Sequence, residues 1–187
     1  MADLTHWRIL HRETIFAGGP IKEIAIETIE LPDGRRIPDY YVIRLADFVL
    51  VYAETDDGTV LMLRQYKHGL RRVCLTFPGG AIEDRESPVM AARRELLEET
   101  GYEATEWHSL GAFGTNANQG CNAAHLFRAT GCRRVTEPHS GDLEQISLEL
   151  VPPATLLHPT ALHEIGLASH VALLLLATHS APTVADR

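Results

Sequence analysis

Gly80-Ala81-Ile82-Glu83-Asp84-Arg85-Glu86-Ser87-Pro88-Val89-Met90-Ala91-Ala92-Arg93-Arg94-Glu95-Leu96-Leu97-Glu98-Glu99-Thr100-Gly101-Tyr102 is the stretch on which the reading of this chain turns. Ser87 is a good N-cap, Pro88 suits the first helical position, and Gly101 can take the left-handed conformation that ends a helix. The spacing predicts a helix over 88–100. At about 100° per residue, Glu95, Glu98 and Glu99 share one stripe because they stand at i, i+3 and i+4. Val89, Ala92 and Leu96 share a flank that can pack on a core. Like charges stacked at these intervals repel, and an ordinary solvated stripe intersperses lysine among them. A cation is expected on that stripe.

The preceding Phe77-Pro78-Gly79-Gly80 turn brings backbone groups close to the helix. Carboxylate and carbonyl oxygens suit hard Mg2+ or Mn2+, which keep several waters and recruit substrate phosphates. For an isolated Glu-Glu pair the ordinary reading is a helix face turned to water. The glycine turn beside three acids favours the metal instead.

Gly80, Glu86, Arg94, Glu95, Leu96, Glu98, Glu99 and Gly101 also stand at the spacings of the pattern GX5EX7REUXEEXGU. With usages of roughly 5 to 7 % per residue type, a chance match in a chain of this length is below about one in a million. This is the Nudix box, and the chain resembles the Nudix hydrolases over it. Only Tyr102 departs, an aromatic where the pattern has a bulky aliphatic. The resemblance implies an α/β fold, the Nudix α/β/α sandwich with a mixed sheet, and cleavage of a nucleoside diphosphate linked to another group. It implies Glu95 and Glu99 as catalytic metal ligands, the carbonyl of Gly79 as a further ligand and Glu98 as a less constant one. Glu86 is then expected to support the metal site and Arg94 to brace the box through ion pairs.

Outward from the box, the chain reads as strands on both sides. Ile24–Leu31 alternates apolar and polar residues, Pro32-Asp33-Gly34 turns, and 37–45 resumes in β style. Residues 48–52 and 60–63 flank the turn at Asp56-Asp57-Gly58. Stretch 73–77 leads into the box, and 110–113, 124–129 and 146–151 read as later strands, the last stopped by Pro152-Pro153. A C-terminal helix is expected over about 163–178, apolar almost all round and therefore buried. The organisation expected is a β-rich accessory or dimerisation segment over 1–45, a small antiparallel β segment, followed by a Nudix domain over 46–187.

That leading segment resembles the ADP-ribose pyrophosphatase branch of the family, in which it helps to form a dimer and carries part of the nucleotide site. Val60-Leu-Met-Leu-Arg-Gln-Tyr-Lys67 and Leu143-Glu-Gln-Ile146 are similar to the same branch. The chain departs from it at Lys67, where arginine is usual, at Thr76, where glutamate is usual, and in the loop 115–120, which lacks a proline. The resemblance implies ADP-ribose or a related nucleotide sugar as substrate and a homodimer as the assembly. It also implies a loop glutamate as the base that takes the proton from the attacking water; Glu144 matches best by its place before Ile146, with Glu137 and Asp142 as rivals.

Other candidate binding residues rest on residue type. Trp7, Tyr40 and Tyr41 are able to stack on a base, with Tyr41 favoured, although aromatics in a β-rich segment are more often core or interface residues. Arg64 and Lys67 are the basic residues expected to reach phosphate, ahead of Arg71 and Arg72. Two other functions stay open: a nucleotide-sugar sensor that does not cleave, against which stands the full set of box carboxylates, and a hydrolase of oxidised nucleoside triphosphates.

Composition sets outer bounds. The chain has 187 residues, 45 % apolar and 22 % charged, as expected for a globular protein. A net charge of −8 disfavours a nucleic-acid partner, while a divalent cation would let an acidic protein hold a diphosphate. Cys74, Cys121 and Cys132 form no CxxC pair, which points to three reduced thiols and the cytoplasm. The apolar run 171–177 is too short to span a bilayer. There is no HExxH, so His139, His158 and His170 are expected to be ordinary surface or core residues.

Overall fold

The computed structural model describes residues 6–139 and 146–179. The chain falls into two compact units. One comprises the residues up to Asp47 together with Gly114–Ala123, and the other comprises Phe48–Phe113 and the chain from Ala124 onward.

The first unit is an antiparallel meander of β1 (Arg8–Gly18), β2 (Ile21–Glu30) and β3 (Arg36–Leu45), in that order. Gly34, at φ 83°, makes the expected turn between β2 and β3. β1 is absent from the sequence reading for a physical reason: all eleven of its residues are exposed, and its register with β2 shifts three times, so no period-2 alternation marks it. It is held by its antiparallel ladder with β2, across which Arg12 pairs with Glu23 at 2.6 Å and with Glu27. The stretch 114–123 closes the unit. Ile43 N–H donates to the Gln119 carbonyl at 3.0 Å, Leu45 N–H to that of Cys121 at 2.9 Å, and the Tyr40 hydroxyl to that of Asn118.

The second unit is built on a mixed sheet of β4 (Phe48–Thr55), β5 (Val60–Lys67), β6 (Arg72–Thr76), β7 (Tyr102–Glu103), β8 (Glu106–Gly114), β9 (Ala123–Arg134) and β10 (Ser147–Val151). The order is β10-β5-β4-β9-β7, with β6 alongside β5 and β8 alongside β9. β4 and β9 run parallel from Phe48↔Ala124 onward, whereas β5 pairs antiparallel with β10 and β6. Because successive side chains on a strand point to opposite faces, the two faces collect different partners. Val49, Val51, Ala53 and Leu61 pack with Ala91, Ala92 and Leu96 of α1 (Pro88–Thr100). Leu50, Tyr52, Val60 and Met62 pack with Leu156, Ile165, Leu173, Leu174 and Ala177 of α2 (Pro153–Leu156), α3 (Pro159–Ile165) and α4 (Ala168–His179). This is the helix–sheet–helix sandwich with a mixed sheet that the sequence implied.

The single C-terminal helix expected over 163–178 is two helices. Gly166 sits at φ 60° and closes α3, its N–H donating to the Leu162 carbonyl at 3.2 Å. A Cβ there would run into the Arg72 guanidinium, which itself donates to the His163 carbonyl at 3.1 Å. Among the described residues no helix is long and apolar enough to cross a membrane.

Candidate active site

α1 spans 88–100 as its caps dictate. Gly101, at φ 74°, donates its N–H to the Leu97 carbonyl at 2.8 Å. Ser87 stands at the N-cap without a side-chain cap bond, its carbonyl accepting from Met90 and Ala91. The acidic stripe then divides by depth. Glu99 is only 6 % exposed, whereas the Glu98 side chain is 43 % exposed.

The segment Phe77–Gly80 lies between α1 and β4 and is held at successive peptides. Phe77 N–H donates to His170 Nδ1 of α4 at 3.0 Å. The Pro78 carbonyl accepts from Val51 N–H and the Gly80 carbonyl from Val49 N–H, both at 2.9 Å. Between them, Gly79 N–H donates to Glu99 Oε2 at 2.7 Å. Gly79 is required by close approach, since a Cβ there would collide with the Val49 carbonyl oxygen, and Gly80 lies directly against the Glu95 carboxylate. Glu95 and Glu99 therefore converge on one glycine pair. In extended chain successive carbonyls alternate in direction, so with those of Pro78 and Gly80 turned to β4, the Gly79 carbonyl faces away from that strand.

Arg94 ties the acids together. It donates to Glu86 Oε1 and Oε2 at 3.0 and 2.9 Å, to Glu95 Oε1 at 2.8 Å, to Glu98 Oε2 at 3.3 Å and to the Ala81 carbonyl at 3.1 Å. The fork-to-fork bond from Arg94 holds the Glu86 carboxyl below its usual pKa, and the bonds from Glu86 raise that of Arg94. Glu86 in turn accepts from Glu83 N–H at 3.1 Å, fixing the loop ahead of α1. The bracing role expected of Arg94 is the one its contacts describe.

Among the described residues no three His, Cys, Asp or Glu side chains form a ready-made metal cage. The donor set still fits a hard divalent cation, because Mg2+ is commonly held by one or two carboxylates plus substrate phosphates rather than by an all-protein cage. Two carboxylates at one glycine pair supply that much. Glu95 and Glu99 are the carboxylates that the fold brings to this pair, with Glu98 more exposed.

The remaining expected site residues disperse. Arg64 is committed to protein carboxylates: its Nε meets Glu149 at 2.5 Å and its Nη1 meets Glu164 at 3.0 Å, which raises its pKa. Its place in the fold is a tie from β5 to β10 and α3 rather than a free cation for phosphate. Lys67 Nζ donates to Gln65 Oε1 at 2.9 Å, Gln65 Nε2 to Thr76 Oγ1 at 2.7 Å, and Thr76 to the Leu63 carbonyl at 3.2 Å. Thus two of the departures from the ADP-ribose branch, at 67 and 76, are joined by one hydrogen-bonded chain. Tyr41 is exposed on β3, and Trp7 packs edge-on to Tyr40 at 6.0 Å. Glu144 and Asp142 lie outside the described residues. Glu137 is 85 % exposed and paired with Arg134, the behaviour of a solvated acid.

His170, expected to be an ordinary surface or core histidine, is a core residue that holds the segment leading into the glycine pair. It is buried and stacked on Phe77 with ring centroids 6.0 Å apart. Burial pushes its pKa down to about 3, with Lys67 acting in the same sense, so the ring stays neutral and its Nδ1 can accept. The available signal was a histidine at helical spacing with Leu173, Leu174 and Ala177, since a polar group on a buried face must find a partner. Of the thiols, Cys74 and Cys132 are buried and Cys121 half-buried, all free. Burial raises the pKa of Cys132 to about 12, which leaves it an inert core residue.

The family model of the NUDIX domain matches residues 43–171. The chain belongs to the Nudix family. Among its relatives, the ADP-ribose pyrophosphatase of Bacillus subtilis (strain 168) is 34 % identical over 122 residues, covering 65 % of each chain. The methanol dehydrogenase activator of Bacillus methanolicus is 32 % identical over 131 residues, covering 70 % of each. The fold of this Nudix chain superposes on the crystal structure of an ADP compounds hydrolase with a TM-score of 0.81 over 95 % of both chains, at 23 % identity. The match to the Bacillus subtilis enzyme thus spans about two thirds of either protein.

Proposed function

We propose that this Nudix protein hydrolyses the pyrophosphate bond of a nucleoside diphosphate linked to another group, ADP-ribose or a related nucleotide sugar, with Mg2+ or Mn2+ bound at α1. The observation that carries the reading is the convergence of Glu95 and Glu99 on the Gly79–Gly80 pair. The activities named for two of the relatives, an ADP-ribose pyrophosphatase and an ADP compounds hydrolase, support the substrate class.

In this reading Glu95, Glu99 and the Gly79 carbonyl hold the cation, with Glu98 as an outer ligand. When bound, the cation neutralises the diphosphate and lowers the pKa of coordinated water. Arg94 and Glu86 keep the carboxylates in register, and Glu99 is held in place by the Gly79 N–H. Glu144 is the proposed base, five residues beyond His139, whose N–H donates to the Glu98 carbonyl at 2.7 Å. Lys67 and Tyr41 are the proposed substrate contacts. Arg64 would have to leave Glu149 and Glu164 to join them. The proposal extends to a homodimer and to the cytoplasm, the first supported by the exposed Ile9, Leu10, Ile15 and Phe16 of β1 and the second by the three free thiols.

Two measurements test this together. A panel of ADP-ribose, ADP-glucose, GDP-mannose, NADH and dNTPs with Mg2+, read by phosphate release after phosphatase coupling, should single out the ADP-linked sugars. Glu99→Gln keeps an amide oxygen for Gly79 N–H but removes the charge, so turnover should fall more than about 100-fold with the melting temperature nearly unchanged. Near-normal turnover in that variant sinks the site.

A further inference from the structure

Phe77–Gly80 is gripped from both sides of the sheet. From one side comes Glu99 of α1, which takes the N–H of Gly79; from the other comes His170 of α4, which takes the N–H of Phe77 two residues earlier. The two helices belong to opposite faces, as their separate core clusters require. Pro78, between the two anchored residues, has no N–H, and Val49 and Val51 act as donors to the carbonyls of the segment.

The β5–β6 ladder ends at Leu63↔Thr76. Phe77 N–H is therefore the first donor past the ladder, and it belongs to a side chain only 1 % exposed. Without a partner it would be a buried orphan, and the chain would have to rotate toward water to satisfy it. Any such rotation passes directly into Pro78 and Gly79, whose backbone touches Val49 and the α1 carboxylates. The imidazole is thus the element that fixes where the glycine pair begins.

We propose that His170 is a positioning residue for the active site: its Nδ1 anchors Phe77 and so holds the Gly79–Gly80 backbone in register with Glu95 and Glu99, from the face of the sheet opposite to α1. His170 touches neither substrate nor cation. It acts through the segment that does, and the proposal rests on the assignment of α1 and Gly79 as the metal-binding site.

The test separates positioning from plain stability. His170→Leu keeps bulk and removes the acceptor. His170→Asn returns an amide oxygen at the place of Nδ1, with His170→Gln as a second rescue should the first pack poorly. Ala177→Gly, two turns further along α4, is the control for general loosening of the helix. In the full chain without metal, amide hydrogen exchange at Phe77, Gly79 and Gly80 in His170→Leu should be about tenfold or more faster than in the control at matched melting temperature, the factor expected from one lost buried hydrogen bond. Mn2+ titrated into the same proteins and followed by electron paramagnetic resonance should bind several-fold more weakly to His170→Leu, and the amide variants should recover both properties. Equal exchange in His170→Leu and Ala177→Gly, or no recovery in either amide variant, overturns the positioning role. Unchanged turnover in Glu99→Gln overturns the site assignment instead, and the exchange contrast then decides the anchoring on its own.

Discussion

Arg94 is shared among three carboxylates and a carbonyl, and its own side chain is only 24 % exposed. A planar guanidinium can do this because its donors fan out in fixed directions; an ammonium cannot. Arg94→Lys should therefore lose the two-point bond to Glu86 and lower stability by about 1 kcal/mol, and Arg94→Ala, which removes the cation that Glu86 and Glu95 share, by about 2 to 3 kcal/mol. Urea unfolding measures both. A lysine variant as stable as the parent would mean that the fork geometry is not what matters. The same contact has a chemical side: Arg94 shares Glu95 Oε1 with any cation bound there, so the alanine variant should also bind Mn2+ at altered strength.

At the scale of elements, Gly166 separates two helices that would otherwise fuse. Gly166→Ala places a Cβ at φ 60° and against the Arg72 guanidinium, which should cost about 1 to 2 kcal/mol in strain and in the loosened bond from Arg72 to His163. A melting temperature unchanged from the parent would argue that α3 and α4 tolerate continuity. The break also marks where sequence reading reaches its limit. α1 was legible to the residue because its signals are local: a proline at the start, a glycine at the end and acids at helical intervals. The C-terminal boundary was missed although Gly166 is a glycine cap like Gly101, because apolar residues run on both sides of it and the pattern reads as continuous. The ion pairs of Arg64 were not legible either. Its partners Glu149 and Glu164 stand 85 and 100 residues away, a separation that no spacing rule covers. β1 escaped because its exposure removes the alternation on which strand reading depends.

At the scale of the whole molecule, the meander ends in an edge strand that carries exposed Trp7, Ile9, Leu10, Ile15 and Phe16 nearby or within it. An exposed apolar edge strand invites pairing with another chain. With the homodimer proposed above, Ile9→Lys combined with Ile15→Lys should shift sedimentation from dimer to monomer while the far-ultraviolet spectrum is kept. A parent protein that sediments as a monomer at micromolar concentration would remove the dimer from the proposal.

The first unit takes its last piece, Gly114–Ala123, from beyond the box. During synthesis β1, β2 and β3 can pair as they emerge, but the carbonyls that receive Ile43 and Leu45 belong to Gln119 and Cys121, and the parallel partner of β4 begins at Ala124. Neither unit can close until the ribosome has passed that point. The acidic helix is therefore made before the sheet that supports it is complete, and the proposed metal-binding surface is among the last parts of this protein to take its final form.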